Sequence, residues 1–273
     1  MITLKPTNDY LFKRIFGRKK NYALLKDLLE SILPHLKIKS LTINQEVSLE
    51  RELMSDKLGI LDIVATLEDN TIINIEMQVK NHKNTIDRSI FYESGLIHEN
   101  LKQSENYSKL PKTIGIWILN FEIFNSGPFH EIARLKRDYE NIVLTDKFEL
   151  HYIQLPKFRK KCKRISTKLE EWLTFISHEN LEEIKMIENE YIPKAEEELE
   201  YLTGDEAERR LAFLREKAIR DEVDAISTAK EEGIEQGQKQ EKFLIAKKML
   251  TKNIDIKTII EITGLTKSEI ENL

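Results

Sequence analysis

The chain has 273 residues, with 43 Lys or Arg, 47 Asp or Glu and a formal net charge of −4. That length suits one sizeable core with an appendage, so we expect one or two domains. The single cysteine, Cys162, excludes an internal disulfide and fits a reducing compartment. No apolar run reaches the roughly 18 residues needed to cross a bilayer, and the first residues lack a signal-peptide pattern. We therefore expect a cytoplasmic protein with no membrane partner.

The first predicted element is a helix over residues 7–33, divided in two near residues 17–21. Thr7 or Asn8 can cap it, and Asp9 falls in the first turn, where the helix macrodipole favours an acid. Apolar residues recur at helical spacing on both sides of the break: Phe12, Ile15, Phe16, Leu24, Leu25, Leu28, Leu29 and Ile32.

A strand is predicted over residues 38–49, and residues 58–80 then form the two arms of a hairpin. The second arm alternates apolar residues with polar ones: Ile73, Ile75, Met77 and Val79 with Asn74, Glu76, Gln78 and Lys80. This period of two indicates a strand with one apolar and one polar face. The first arm, residues 60–67, is rich in β-formers and holds a single acid, Asp62. Residues 68–70, Glu-Asp-Asn, are typical of a turn.

The length of the hairpin loop decides whether two carboxylates meet. A loop of three or five residues places Asp62 directly opposite Glu76 on one face. A two-residue loop instead opposes Asp62 to Met77 and sends the carboxylates to opposite faces. Like charges directly across a sheet are destabilising, and a divalent cation between them removes that penalty.

The donor types at this point indicate a hard cation. Two carboxylates suit Mg²⁺, Mn²⁺ or Ca²⁺ better than zinc. Gln78 lies one pleat beyond Glu76 on the same face, so its amide can orient a water molecule or a phosphate oxygen. Lys80, a further pleat along, can supply positive charge.

A helix is predicted over residues 85–103. Its predicted core stripe follows helical spacing: Ile86, Ile90, Ile97 and Leu101. Arg88 and Tyr92 are four residues apart and therefore share a face.

Two further strands complete the predicted core. Residues 113–120 form a nearly continuous apolar run, as expected for a strand buried on both faces. Residues 121–147 are less regular, and a strand is predicted over residues 149–155. The core is therefore predicted to be a mixed sheet covered by helices.

A basic run follows the last strand: Lys157, Arg159, Lys160, Lys161, Lys163 and Arg164. Beside the carboxylates, such a run would attract phosphate independently of sequence. Equally, its charges can pair with the acidic helical sequence that follows. Composition alone leaves both interpretations open.

The C-terminal part is predicted to be helical, with Gly233 and Gly237 interrupting it. Two short helices around Thr263-Gly264-Leu265-Thr266 resemble a helix-turn-helix. Such a tail can bind DNA or pair with a partner chain. The last helix carries more acid than base, which favours self-association as a homo-oligomer or another protein contact. We predict domains at 1–164, 165–232 and 233–273.

The ordered motifs resemble a known nuclease family. Asp62 followed by Ile75-Glu76-Met77-Gln78 is similar to the PD-(D/E)xK nuclease core, with Gln in place of the usual Lys. Over residues 6–160 the chain resembles the Rpn-type recombination-promoting nucleases, a group of PD-(D/E)xK transposases. The other motifs that resemble this family are Asn8-Asp9-Tyr10-Leu11-Phe12-Lys13 with Phe16, Arg88 with Tyr92, and Leu155-Pro156-Lys157-Phe158.

The resemblance implies a fold and an activity. The fold is α/β, a restriction-endonuclease-like core whose mixed central sheet is flanked by helices, with a helical C-terminal extension. The activity is a metal-dependent DNA endonuclease that hydrolyses phosphodiester bonds in recombination or mobile-element activity. Mg²⁺ is the expected cofactor, with Mn²⁺ or Ca²⁺ as alternatives, and DNA is the expected partner.

The resemblance also assigns roles to residues. Asp62, Glu76 and Gln78 form the catalytic set, and the metal ligands are Asp62, Glu76 and the main-chain carbonyl of Met77. Three side chains are expected beside the site: Asp9, Arg88 and Tyr92.

Two other function classes are compatible with the sequence. A DNA-binding or regulatory module can keep this fold with little or no turnover, and the neutral Gln78 in the Lys position favours that interpretation. An adaptor or oligomer can recruit partners through its charged helices and tail, and it needs neither metal nor DNA.

Overall fold

The computed structural model describes residues 4–44, 63–81, 83–101, 105–161, 164–177, 181–185 and 187–273. The chain divides into two compact units, residues 1–216 and 217–273. The strands are β1 (Leu41–Ile43), β2 (Ile63–Leu67), β3 (Ile72–Gln78), β4 (Thr113–Leu119), β5 (His130–Arg134), β6 (Lys136–Arg137), β7 (Ile142–Val143) and β8 (Phe148–Gln154).

The described helices are α1 (Asp9–Phe16), α2 (Tyr22–Ile32), α3 (Thr85–Glu99), α4 (Leu155–Lys161), α5 (Lys168–Ser177), α6 (Leu181–Lys185), α7 (Ile192–Gly204), α8 (Glu206–Thr251), α9 (Ile256–Thr263) and α10 (Lys267–Glu271). Short 3₁₀ turns lie at Lys19–Asn21 and Tyr107–Lys109.

The first unit is built on a six-stranded sheet of order β1-β2-β3-β4-β8-β5, beside a small β6-β7 hairpin. β2 is antiparallel to both β1 and β3, whereas β3, β4 and β8 run parallel to one another. β5 returns antiparallel to β8 at the edge. The predicted α/β fold, a mixed sheet flanked by helices, is therefore confirmed.

One face of the sheet forms the main hydrophobic core. The apolar residues of β3, Ile73, Ile75 and Met77, pack there with residues of α1, α2, α5 and α7. β4 is buried at every position, as its continuous apolar sequence predicts for a central parallel strand. α1 and α2 are separated by the 3₁₀ turn at Lys19–Asn21, so the predicted division of the first helix is confirmed.

The opposite face of the sheet is covered by α3, and here one prediction is wrong. Ile86 and Ile90 were expected in the core, but they are 42% and 46% exposed. The buried side chains of α3 are those of Thr85, Ser89, Glu93 and Leu96. The physical reason is the polar surface of β3, since α3 turns polar side chains toward Asn74, Glu76 and Gln78.

The region between β4 and β8 is more regular than its sequence suggests. Residues 121–147 were predicted to be irregular, yet they include β5 and the β6-β7 hairpin. Asn141, in the loop of this hairpin, has a left-handed backbone (φ 52°), which Asn tolerates better than most residues.

The second unit, residues 217–273, contains the predicted pair of short helices. α8 runs through Gly233 and Gly237 without interruption, although both were expected to interrupt the helix. α9 ends at Gly264, whose left-handed backbone (φ 67°) forms the turn, and Thr266 and Glu269 close a capping box on α10. Ala246, Ile259, Leu265 and Ile270 form a small core.

A search of the described helices found none with the length and apolarity that crossing a membrane requires.

Two histidines, His130 and His151, form a hydrogen-bonded chain with Glu149 near the edge of the sheet. His130 Nε2 and His151 Nδ1 are 2.8 Å apart, and His151 Nε2 lies 2.6 Å from Glu149 Oε1. Arg134 donates to the other oxygen of Glu149 at 2.6 Å. Burial, aided by the neighbouring His151, lowers the pKa of His130 to about 4, whereas the charge of Glu149 acts in the opposite direction.

We predict that acid weakens the fold through His130. Its folded pKa lies below its unfolded value, so its contribution is complete above about pH 6.5 and is lost as pH falls toward about 4. Between about pH 7.5 and pH 5 the loss should be about 2 kcal/mol. Urea unfolding should show a shallower pH slope for His130→Gln than for wild type, while His98→Gln, at an exposed histidine, should keep the wild-type slope. Identical slopes for all three proteins would contradict this assignment.

Candidate active site

The hairpin register is the one that the three-residue loop requires. Ile63 pairs with Ile75 and Thr66 with Ile72. Leu67 donates its main-chain N–H to the carbonyl of Thr71 at 2.8 Å, which leaves residues 68–70 as the loop. Asn70 has a left-handed backbone (φ 65°), as expected at the last position of a three-residue hairpin loop. Asp62, the predicted partner of Glu76, lies outside the described residues.

Glu76 is placed on the polar face of β3, beneath α3. It is 1% exposed, and its neighbour in the parallel strand β4 is Trp117. Met77, the next residue, points its side chain into the main core. Its main-chain carbonyl is therefore the only group of Met77 that could contribute to a site on the polar face. This alternation separates the carboxylate from the hydrophobic core.

Two amides contact the carboxylate of Glu76, one on each oxygen. Asn74 Nδ2 donates to Oε1 at 3.4 Å, and Gln78 Nε2 donates to Oε2 at 3.2 Å. All three side chains lie on the same face of β3 because they are two residues apart. Both contacts are longer than a typical N–H···O bond of about 2.9 Å, and together they orient the carboxylate.

The predicted pair on α3 also reaches this face. Arg88 Nη1 lies 3.5 Å from Gln78 Oε1, and its Nη2 donates to the hydroxyl of Tyr92 at 3.1 Å. The guanidinium carbon is 5.5 Å from the centre of the Tyr92 ring, which in turn stacks on Trp117. Arg88 therefore places a positive charge beside Gln78, next to Glu76.

Glu93 of α3 is a further carboxyl group at this site, and the sequence analysis missed it. It is 0% exposed, and its Oε1 accepts from Asn74 Nδ2 at 2.9 Å. Burial raises the pKa of Glu93 to about 7, although the Asn74 amide and the Trp117 indole favour its ionised form. A usable signal was the polar stripe Thr85, Ser89 and Glu93 at four-residue spacing, a helix face that matches the polar side of β3.

Other predicted site residues lie elsewhere. Asp9 is 9% exposed and accepts from Arg215 Nε at 2.8 Å, in the part of α8 that belongs to the first unit. Its role beside a metal stays a prediction. Asn8, rather than Asp9, caps α1 by accepting from the main-chain N–H of Leu11. Lys80 follows the end of β3 and is half-buried.

The basic run is held largely by the segment that precedes β5. Lys157 is 5% exposed and donates to the carbonyl of Ser126, and Arg159 contacts Asn120 at 3.2 Å. Lys160 pairs with Glu122 at 2.7 Å, and Lys161 donates to the carbonyl of Gly127 at 2.6 Å. Because Lys157 is buried, its side chain is better placed for a structural contact than for binding phosphate.

The last two members of the basic run, Lys163 and Arg164, follow α4 in the sequence. Lys163 and its neighbour Cys162 lie outside the described residues, and Arg164 directly follows them. The acid that pairs with Lys160 belongs to residues 120–127, not to the helical sequence after the run.

The donor chemistry of the site fits a hard divalent cation. Glu76 offers carboxylate oxygens at a buried position whose neighbours are amides, and the Met77 carbonyl is a further oxygen donor. Within the ranges that the structure describes, no three His, Cys, Asp or Glu residues cluster as a complete metal site.

The fold and this face of β3 define a class: a restriction-endonuclease-like α/β protein, with helices on both sides of a mixed sheet. A family model described as PD-(D/E)XK nuclease family transposase matches residues 6–229, and the chain belongs to that family. A second model, described as the C-terminal HTH domain of the Rpn/YhgA-like nuclease family, matches residues 239–273. No curated protein and no solved structure matches the chain.

We predict that Gly115 of β4 is required for Glu93 to fit beneath α3. A Cβ at position 115 would lie 2.4 Å from Glu93 Oε1 and 2.7 Å from its Cδ. Because Glu93 is buried and cannot turn into solvent, Gly115→Ala should lower the free energy of unfolding by about 1–3 kcal/mol.

The matched control is Gly95→Ala on α3, where an added Cβ meets nothing within 4 Å. It should raise stability by about 0.5–1 kcal/mol, because alanine is the better helix former. Urea titrations of both variants, and of Gly115→Ala combined with Glu93→Ala, measure the effect. A Gly115→Ala variant as stable as wild type would contradict the predicted clash.

Proposed function

We propose that this protein is a divalent-metal-dependent DNA endonuclease that hydrolyses phosphodiester bonds during recombination or mobile-element activity. The observation that carries the proposal is Glu76, a buried carboxylate on the polar face of a central strand, held by an amide on each oxygen. Membership of the nuclease family supports the same conclusion.

The proposed metal ligands are Glu76, Asp62 and the main-chain carbonyl of Met77. Asp62 is included because a three-residue hairpin loop is the case in which the sequence predicts it opposite Glu76, and residues 68–70 form such a loop. A bound divalent ion would supply an activated water molecule and neutralise charge on the phosphate. Mg²⁺ is the proposed ion, and Mn²⁺ and Ca²⁺ are alternatives with the same preference for oxygen ligands.

The remaining residues have proposed roles in binding and orientation. Gln78 orients Glu76 through its amide nitrogen, and its oxygen faces Arg88. Arg88 can neutralise charge on the scissile phosphate, with Tyr92 holding the guanidinium in place. Lys80 can add the positive charge that is missing at the Gln78 position, and Asp9 is proposed to support the metal site from α1.

Binding of the DNA backbone on either side of the scissile phosphate requires a positively charged protein surface. Lys160 and Lys161 are exposed, so they are proposed to contact the DNA backbone by exchanging Glu122 and Gly127 for phosphate oxygens. Arg159, Lys163 and Arg164 are proposed to extend this contact.

The C-terminal tail has two proposed partners. A helix-turn-helix commonly places its second helix in the major groove. Here that helix is α10, whose Lys267 lies 3.4 Å from Glu271 and whose Glu269 caps the helix. Since acid exceeds base on α10, we propose a contact with protein, including a second copy of this chain, ahead of DNA readout.

A DNA-binding module without turnover is the second candidate. It is favoured by Gln78, because a neutral amide stabilises a developing anion less than an ammonium group. The two candidates differ in cleavage and not in binding, so one experiment separates them.

We predict metal-dependent nicking of supercoiled plasmid by the wild-type protein in Mg²⁺ or Mn²⁺, and none in EDTA. Glu76→Gln and Asp62→Asn remove one negative charge each with little change in shape, and each should reduce nicking by at least about 100-fold. Glu99→Gln, at the exposed end of α3, is the matched control and should cut as wild type does.

DNA binding by mobility shift, measured in EDTA on the same proteins, completes the test. Binding without cleavage under every metal condition would reject the endonuclease and support the binding module. Equal cutting by the two site variants and wild type would place the active site elsewhere.

A further inference from the structure

Glu93 has no role in the proposed reaction, yet it is the most deeply buried acid on the face of β3 that holds Glu76. Both carboxyl groups are almost completely removed from solvent, at 0% and 1% exposure. Burial of a carboxyl group is costly unless hydrogen bonds or charges compensate for it. The position of Glu93 therefore calls for an explanation other than packing.

Asn74 is the residue that connects the two acids. Its Nδ2 lies 2.9 Å from Glu93 Oε1 and 3.4 Å from Glu76 Oε1. Two carboxyl oxygens flank the same end of the amide, and only the NH₂ end can donate to both. The orientation of the Asn74 side chain follows from these two acceptors.

The distances indicate which acceptor fixes the amide. The contact with Glu93 has the length of a normal hydrogen bond, whereas the contact with Glu76 is near the upper limit. Glu93 therefore determines where the Asn74 NH₂ group lies. The second N–H of Asn74 then points at Glu76 from a fixed position.

The surroundings of Glu93 are shaped to hold its side chain. Gly115, the strand partner of Asn74, leaves the space that the Glu93 carboxyl group fills. Ser89, one turn earlier on α3, is 2.6 Å from the hydroxyl of Tyr152 and fixes the helix against β8. Among the described residues, Glu93 Oε2 and Asn74 Oδ1 have no partner at hydrogen-bond geometry, although the Trp117 indole favours the ionised form of Glu93.

These unpaired atoms argue against a purely structural role. A buried acid that served only stability would have both oxygens satisfied, because an unpaired buried acceptor is costly. The incomplete pairing of Glu93 therefore favours a role at the site in addition to packing.

We propose that Glu93 is a positioning residue for the metal site: it holds the Asn74 amide, and Asn74 in turn orients the Glu76 carboxylate for a divalent cation. The inference rests on the proposed function, since it assigns how that site is organised. Residues that orient a metal ligand commonly change metal affinity by about 10–100-fold when they are removed.

The test measures Mn²⁺ affinity by isothermal titration calorimetry on the full chain, and unfolding by urea in EDTA. Glu93→Leu removes the acceptor at similar volume, and Glu93→Gln keeps an acceptor oxygen. Glu99→Leu and Glu99→Gln, on the exposed end of the same helix, are the matched controls. Each variant is also combined with Asn74→Ser.

The expected result is specific to positioning. Glu93→Leu should weaken Mn²⁺ binding by about 10-fold or more, while its urea unfolding in EDTA remains a single cooperative transition. Glu93→Gln should stay within about threefold of wild type, and both Glu99 variants should be unchanged. In nicking assays, Glu93→Leu should lower kcat and leave KM for DNA unchanged.

The double variants decide whether the effect passes through Asn74. Once Asn74→Ser is present, Glu93→Leu should cause no further loss of Mn²⁺ affinity. Equal losses in both backgrounds, or wild-type Mn²⁺ affinity in Glu93→Leu, would overturn the proposal while leaving the endonuclease intact. A wild-type protein that binds no Mn²⁺ would instead reject the proposed function, and the positioning role with it.

Discussion

The two-faced character of β3 is the constraint on which the structure depends. Its odd-numbered residues from Ile73 to Met77 belong to the main core, so the even-numbered ones must face the other side. Three of these, Asn74, Glu76 and Gln78, are polar and still lie beneath a helix. Polar groups removed from water require partners, and only a helix with a polar inner face can supply them.

That requirement explains the unusual helix α3. Its buried side includes Ser89 and Glu93, and its exposed side includes Ile86, Ile90 and Phe91. The reversal of the common amphipathic arrangement follows from what the helix covers. The same arrangement brings two buried acids, two amides and a guanidinium together on one side of the sheet. A purely hydrophobic interface at this place would offer no reactive groups. Site and fold are therefore consequences of the same alternation.

The sequence predicts the strands well and the helix faces less well. The period of two in β3 and the apolar run of β4 are local signals, and so is the turn at residues 68–70, although its residue types left the loop length open. The buried side of α3 is not local, because Ile86 and Ile90 have helical spacing on a surface that the tertiary fold leaves exposed. Similarly, β5 is a half-exposed edge strand with little apolar periodicity, so no local pattern in its sequence predicts a strand.

The site was predictable in part for the same reason. Glu76 and Gln78 follow from strand alternation, and Arg88 and Tyr92 from helical spacing. Glu93 does not follow from either pattern, because an acid in a helix is normally solvated. Only the placement of α3 over Asn74 gives its carboxyl group a partner. The ion pair of Asp9 with Arg215 joins residues far apart in sequence, and no local pattern indicates such a contact.

A crystal structure grown with Mn²⁺, with anomalous difference maps recorded at the manganese edge, tests the central claim most directly. We expect an anomalous peak on the side of β3 covered by α3. It should lie about 2.0–2.6 Å from a Glu76 carboxylate oxygen, which is the range of hard-cation coordination. Clear density for Glu76 with no peak there at saturating Mn²⁺, or a peak coordinated only elsewhere in the chain, would contradict it.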